Sequence, residues 1–566
     1  MKTRFSRSLV FGLIGLATVM NSVAATRICS VYLESYAVLQ KQLFLGAELF
    51  QAPQLGSVPM MISMGLPGAA QMNNDKPIAV HVLDIGSGSP GFILEVTPVG
   101  TAEAYLQALA GAKAALPAPA NGLYLLADGT AARIVGTRLL LAPKAKDPAA
   151  CLGGDMSALP AMPAVPGAIR VSVAPAALSP MLDTLRQMMA AMPATVPNAD
   201  QSKRMVESMI DFYAMLLGQV DAMHMGISMQ PAGLLIRSRL VPKAGTDIAA
   251  MVNSVKPASA DQLAFIEKDS LFSYASGSAT FPPALKQQFI DLYLKMAALA
   301  PGAEGLKTGD LTAAMNQSME AVGVPLAFTG MPPAKGQPLQ MQGMMCVSDP
   351  AAYLSGQLAM LKMPAIQKLS SMTFEEPVKR AYQGLTVLTC KYLLDENTLA
   401  KSMRAALPSN TPPAQAEAAL QASTNAMHTV MQLFGNSYEY AATPKAVVFG
   451  MGAPAMIEQA IGRVQAPAAS SPEALRIRNL LAAEAAPHAL GRLSLIGLVD
   501  MILSAVPGLN PAPQPDAAAQ PVGEGIIFAD WTANGEIHSA LLMPPSEIKA
   551  VKAQMTDLTA RGRGGN

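Results

Sequence analysis

Charge is what this 566-residue chain has least of: Asp, Glu, Lys and Arg fill 14% of positions, where an average globular protein has about 25%. The 40 basic and 39 acidic side chains cancel to a net charge of +1. No basic excess remains to attract phosphate backbones or an anionic membrane surface, which excludes nucleic acid as a partner. Aromatic residues are also sparse at 5%, with a single tryptophan, Trp531. The four cysteines, Cys29, Cys151, Cys346 and Cys390, form no C-x-x-C, so zinc knuckles and thioredoxin-type redox motifs are excluded. The histidines His81, His224, His428, His488 and His538 are scattered. They form no H-E-x-x-H pair, and G-x-S-x-G, Walker A and EF-hand patterns are absent. No cofactor, no metal and no enzyme class is indicated. Beyond the N-terminus no apolar run reaches the roughly 20 residues of a membrane span. The best candidate, 490–506, carries Arg492 and Asp500. The mature chain is expected to have no integral membrane span.

Methionine and proline are abundant, at 37 and 45 residues. Methionine is unbranched and polarizable and fills irregular cores, so a soft, methionine-filled interior is expected. The N-terminus has its own pattern. Lys2, Arg4 and Arg7 precede the apolar run "LVFGLIGLATVM", and "NSVAA" supplies small residues for cleavage after Ala24 or Ala25. That is the layout of a secretory signal peptide over 1–25, which places the mature chain in the periplasm or outside the cell. An oxidising compartment favours disulfides. Four cysteines allow three connectivities, of which Cys29 with Cys151 and Cys346 with Cys390 would put one crosslink in each half of the chain.

Internal repetition supplies the halves. "GISMQPAGLLIRSRLVP" (226–242) aligns without a gap on "FADWTANGEIHSALLMP" (528–544), setting Gly233 over Gly535 and Pro242 over Pro544 at an offset of 302. "VTPVGTAEAYLQAL" (96–109) resembles "MCVSDPAAYLSGQL" (345–358), with Thr101 and Asp349 as matching N-caps. "AIRVSVAPAALSPMLDTL" (168–185) resembles "ALGRLSLIGLVDMILSAV" (489–506), each a short strand passing into an apolar helix. The three pairs keep their chain order. We expect a duplicated protein: half one over 26–260 and half two over 261–566, with a disordered tail at about 558–566. Alternating stretches such as "PIAVHVLD" and "LLIRSRLVP" predict antiparallel strands and hairpins. Stripes such as Met205, Met209, Phe212 and Leu216 predict amphipathic helices. Together they predict an α+β fold with helices packed on one face of each sheet.

Several motifs fail on context. Gly86 to Gly91 spell G-x-G-x-x-G, but Pro90 and the strand "FILEVT" follow where a dinucleotide site needs a helix. Ser546 and Lys549 give S-x-x-K, and 307–309 give K-T-G, as in penicillin-recognising serine enzymes. Their order is reversed and no S-D-N lies between them. Met223, His224 and Met225, and Met427, His428 and Met431, carry soft ligands of the kind that hold copper. Strand alternation, however, turns His224 away from Met223 and Met225, and packing accounts for the methionines.

The functional expectation is therefore an exported, non-enzymatic protein that binds or scaffolds an envelope partner or an apolar ligand: a lipid, an acyl chain or an apolar peptide. A methionine-lined groove between the halves is the expected place. The alternatives are an exported serine-type hydrolase whose site is assembled from scattered residues, and a copper-handling protein. Oligomeric state is left open.

Overall fold

Alternating apolar and polar residues become antiparallel ladders throughout the protein, joined by turns and amphipathic helices. The computed structural model describes residues 26–66, 68–84, 91–111, 115–143, 151–152, 162–190, 199–299, 308–333, 337–407, 411–466, 471–505, 523–550 and 552–553. The expected signal peptide, the K-T-G lysine Lys307 and the expected tail lie outside these residues. The chain forms two compact units: unit 1 is Met1–Ala190 with Ala214–Lys243, and unit 2 is Ala191–Tyr213 with Ala244–Asn566.

Unit 1 contains β1 (Thr26–Leu33), β2 (Ile78–Asp84), β3 (Gly91–Val96), β4 (Leu123–Leu125), β5 (Ala131–Val135), β6 (Arg138–Ala142), β7 (Ile169–Val173), β8 (Val220–Gln230) and β9 (Gly233–Pro242). They pair antiparallel in the order β4-β5-β6-β3-β2-β1-β7-β8-β9. Helices α1 (Tyr36–Leu49) and α2 (Gln54–Gly65) join β1 to β2, and α3 (Ala102–Ala110) follows β3.

Unit 2 contains β10 (Phe272–Ser276), β11 (Leu326–Met331), β12 (Gln340–Met345), β13 (Met372–Phe374), β14 (Val378–Tyr382), β15 (Leu385–Leu394), β16 (Ser437–Ala442), β17 (Val447–Met451), β18 (Ala489–Leu493), β19 (Ile526–Ala533) and β20 (Glu536–Met543). Their antiparallel order is β14-β15-β16-β17-β12-β11-β10-β18-β19-β20, with β13 on the far end of β15. From β15 to β20 this is the strand order of unit 1. Helices α4 (Pro283–Leu299) and α5 (Thr308–Met319) join β10 to β11, as α1 and α2 join β1 to β2. Helix α6 (Pro350–Leu361) follows β12, as α3 follows β3. The expected caps form in both: Thr101 Oγ1 accepts from Ala104 N at 3.1 Å, and Asp349 Oδ1 from Ala352 N at 2.9 Å.

The units differ at several connections, and one of them bears on the site described below. Residues 126–130 suffice to join β4 to β5, whereas 395–436 join β15 to β16 and carry helices α7 (Glu396–Ala406) and α8 (Pro413–Phe434). Strands β13 and β14 also have no counterpart among the described residues of unit 1.

Three expectations need correction. The gapless offset of 302 is one residue out. Gln230 pairs with Gly233 beside the turn of one hairpin, and Ala533 with Glu536 in the other. Glu536, not Gly535, is thus the counterpart of Gly233. Asn534 and Gly535 both have positive φ (53° and 75°), the backbone of an Asn-Gly hairpin turn, while Pro231 and Ala232 make the other turn. A one-residue slip changes every face assignment: Met225 and Met229 correspond to Phe528 and Thr532, and Ile527 corresponds to His224.

Nor do helices cover only one sheet face. In unit 2, Met345 and Val447 stand opposite each other and pack with Tyr353 and Leu354 of α6. Gln342 and Gly450 face the other way, where helix α9 (Pro454–Gln465) brings Ile457 against Gly450 so closely that a β-carbon there would meet the Ile457 nitrogen at 2.4 Å. Val447 and Val448 are consecutive and both buried, as covering both faces requires.

Finally, no disulfide joins the four cysteines, of which Cys29 and Cys346 are half-buried and Cys151 and Cys390 buried. Cys29 packs with Val82 and Phe92, whereas Cys151 packs with Leu83 and Ile93 at the alternating positions. The two thiols therefore lie on opposite faces of one sheet. Cys346 follows β12 and Cys390 sits on β15, with β17 and β16 between them. Three strand spacings are about 14 Å, beyond the roughly 7 Å between α-carbons that a disulfide can bridge.

Candidate functional site

A scattered Ser-His-acid set does assemble in unit 1. Ser30 and His81 face each other across β1 and β2. The Ser30 hydroxyl lies 2.7 Å from His81 Nδ1, and His81 Nε2 lies 3.2 Å from a Glu95 oxygen. Arg138 donates to the other Glu95 oxygen at 3.0 Å. Burial acts to raise the Glu95 pKa, but the bonds from His81 and Arg138 outweigh it and hold the carboxyl below its ordinary range. An ionised Glu95 fixes the His81 proton on Nε2 and leaves Nδ1 to accept from Ser30. A nucleophile must still meet its substrate. Ser30 and His81 are 0% exposed, and the side chain ahead of Ser30 across β7 is Ser172, itself buried. The set is an internal polar link, without the access that acyl transfer requires.

The first soft-ligand cluster is split between two faces of a strand. His224 stands opposite Ser172 and Met225 opposite Val171, on alternate faces of β8. His428 is exposed and bonds Glu396 at 3.1 Å. Among the described residues no three His, Cys, Asp or Glu side chains could hold a metal ion together. The loop containing Gly86 lies outside the described residues, and the strands flanking it, β2 and β3, pair antiparallel as a hairpin. Ser546 is exposed.

What unit 2 does contain is an open cavity of about 470 Å³, within the usual range of small-molecule sites. Its floor is one face of the sheet. Cys390 and Tyr392 alternate along β15, Tyr438 and Tyr440 along β16, and Cys390 stands opposite Tyr438. Phe374, paired with Tyr392, and Met372 extend that face onto β13. The roof is the last turn of α8, with Val430, Met431 and Phe434, and Leu361 at the end of α6 closes one side. Tyr392 and Tyr438 stack at 5.5 Å between ring centres, and Tyr438 and Tyr440 at 6.2 Å. The Tyr392 hydroxyl donates to the Gly435 carbonyl, which ties the floor to the end of the roof helix. Among the described residues no charged side chain lines the cavity.

The electrostatics follow from that lining. Burial raises the Tyr392 and Tyr440 hydroxyls well above the ordinary tyrosine range, and neighbouring tyrosines add to the shift. Burial also raises the Cys390 thiol, against the pull of the Lys362 charge. The thiol stays protonated and inert, because its thiolate is disfavoured. Helix α8 spans 22 residues, yet none of them is fully buried. Its apolar end faces the cavity.

Of the residues singled out from the sequence, only Met431 and Cys390 belong to this site. The other lining residues were missed. The period-two tyrosines of "SYEYAA" were the one visible signal, and they do not indicate which strand or helix faces them. Among the described residues no helix is long and apolar enough to cross a membrane. The chain matches no protein-family model, no curated protein and no solved structure.

Proposed function

We propose that the mature chain is an exported, non-enzymatic binding protein, and that unit 2 holds one apolar ligand, such as an acyl chain or a lipid tail, in the cavity between α8 and the β13, β15 and β16 face. One observation carries this reading: an uncharged cavity roofed by a long helix with no fully buried residue. Isolated helices draw most of their stability from packing an apolar face, and a ligand completes that face here. Each buried methylene of the ligand contributes about 0.8 kcal/mol. The proposed place is inside unit 2, not the groove between halves expected from the sequence, and rings outnumber methionines in its lining. Origin by duplication remains part of the proposal. The shared strand order, the matching helix pairs and the matching caps support it.

Titration with the neutral fluorescent probe N-phenyl-1-naphthylamine tests the site. We expect saturable binding of one probe per chain, loss of that binding in Met431→Trp, which fills the cavity, and retention in Gln432→Trp, whose side chain is exposed behind it. Absence of saturable binding, or equal binding by all three proteins, overturns the reading. Export is tested separately by fractionating the source cells and sequencing the mature N-terminus, expected after Ala24 or Ala25.

A further inference from the structure

The cavity is uncharged, but an ion pair adjoins it. Leu361 lines one side, and the next residue is Lys362; Phe374 lines the floor, and Glu376 lies two residues beyond. Lys362 Nζ contacts both Glu376 oxygens, at 2.6 and 2.7 Å. Both side chains are solvent-accessible, Glu376 the more so at 84% and Lys362 at 42%. The Lys362 charge reaches inward as far as the Cys390 thiol on the floor. A cation at the rim of an apolar cavity, held by a freely exposed carboxylate, is arranged for exchange of one carboxylate for another. Such an exchange keeps the lysine paired and trades an exposed side chain for a tethered ligand head.

We propose that the ligand is an amphiphilic monocarboxylate, its chain in the cavity and its carboxylate on Lys362 in place of Glu376. The proposal rests on the apolar-ligand reading above. A neutral ligand of equal length fills the same cavity but gains nothing from Lys362. The pair is exposed, so the selectivity is modest: roughly two- to fivefold in favour of the acid.

Competition against N-phenyl-1-naphthylamine with decanoate and 1-decanol, below their aggregation limits, reads that ratio. Decanoate is expected to compete at several-fold lower concentration than decanol. Lys362→Met should bring the two together while leaving probe binding intact. Glu376→Gln, which frees the lysine, should strengthen decanoate by a further few-fold and leave decanol unchanged. Equal competition by acid and alcohol in the unmodified protein, or a ratio that Lys362→Met does not change, overturns the carboxylate assignment and leaves the apolar site standing. Failure of the probe to bind at all overturns both.

Discussion

The same row of each sheet is polar where a core is ordinarily apolar, and the two units satisfy it differently. In unit 1 the row runs His224, Ser172, Ser30, His81 across β8, β7, β1 and β2. In unit 2 the matching row, aligned by the terminal hairpins, runs Ile527, Arg492, Ser273, Thr329 and continues to Gln342 on β12. Ser30, His81, Ser273, Thr329 and Gln342 are at most 1% exposed, and Arg492 is 2% exposed. The unit 1 row drains outward through Glu95 to the half-exposed Arg138. In unit 2, Arg492 instead donates to the carbonyls of Ser270 at 3.0 Å and Gly523 at 2.7 Å. The Ser273 and Thr329 hydroxyls have no partner among the described residues. Matching backbone positions thus carry unequal chemical loads. Substitutions at equivalent sites should have unequal costs.

The largest difference is expected between Arg492 and Ser172, which hold the same position. Arg492→Met removes the donors of buried carbonyls and a charge that Glu473 and Glu547 support. It should cost about 3–4 kcal/mol. Ser172→Ala should cost about 1 kcal/mol or less. Urea unfolding of the two variants gives the comparison, and equal costs would break it. His81 and Thr329 form the next pair. His81→Leu removes the acceptor of the buried Ser30 hydroxyl and leaves the half-buried Glu95 to Arg138 alone, at a cost of about 2–3 kcal/mol. Thr329→Val is isosteric and removes a hydroxyl without a partner, so it should be neutral or stabilising by about 1 kcal/mol. If Thr329→Val destabilises as much as His81→Leu, the two rows are equally satisfied and the contrast is lost. The hairpin turns give a smaller effect. Gly535→Ala forces a β-carbon into φ 75° and should cost about 1 kcal/mol. Ala232→Gly in the other hairpin should change stability by less.

Much of the scaffold was legible because strands declare their own faces. "IRVSV", "AVHVLD" and "EIHSALLM" alternate, the Asn-Gly turn marks its hairpin, and Thr101 and Asp349 mark their helices. What failed was information held between segments. Identity of Gly233 with Gly535 looked like register, yet one follows a turn and the other forms one. Cysteine spacing cannot reveal that Cys29 and Cys151 face opposite sides of a sheet. Ser30, Ser172 and His81 come from three distant strands, and only the strand order places them in one row. The cavity illustrates the same limit, since its lining comes from β13, β15, β16, α6 and α8. Of these, β13 and α8 have no counterpart among the described residues of unit 1, so comparing the halves by sequence could not point to the roof of the cavity.

Acid should separate the units by the smallest of these effects, because a single half-buried group acts in each. Burial pulls the His488 imidazole, beside β18, below its ordinary 6.5, with Asp530 opposing. Its folded pKa is lower than its unfolded one. Its stability contribution is complete above about pH 6.5 and is lost as pH falls from there toward the folded value, since the unfolded chain takes up the proton first. Glu95 in unit 1 is also depressed in the folded state, from an ordinary 4.5. Its contribution is present above about pH 4.5 and disappears only as pH falls through the folded value. Amide protection around β18 and β19 should therefore begin to weaken as pH falls below about 6.5 while β2 and β3 hold, the latter yielding only below about pH 4.5. His488→Gln should remove the first step and spare the second. Simultaneous loosening of both units, or a first step that survives His488→Gln, would assign the acid response to other titrating groups.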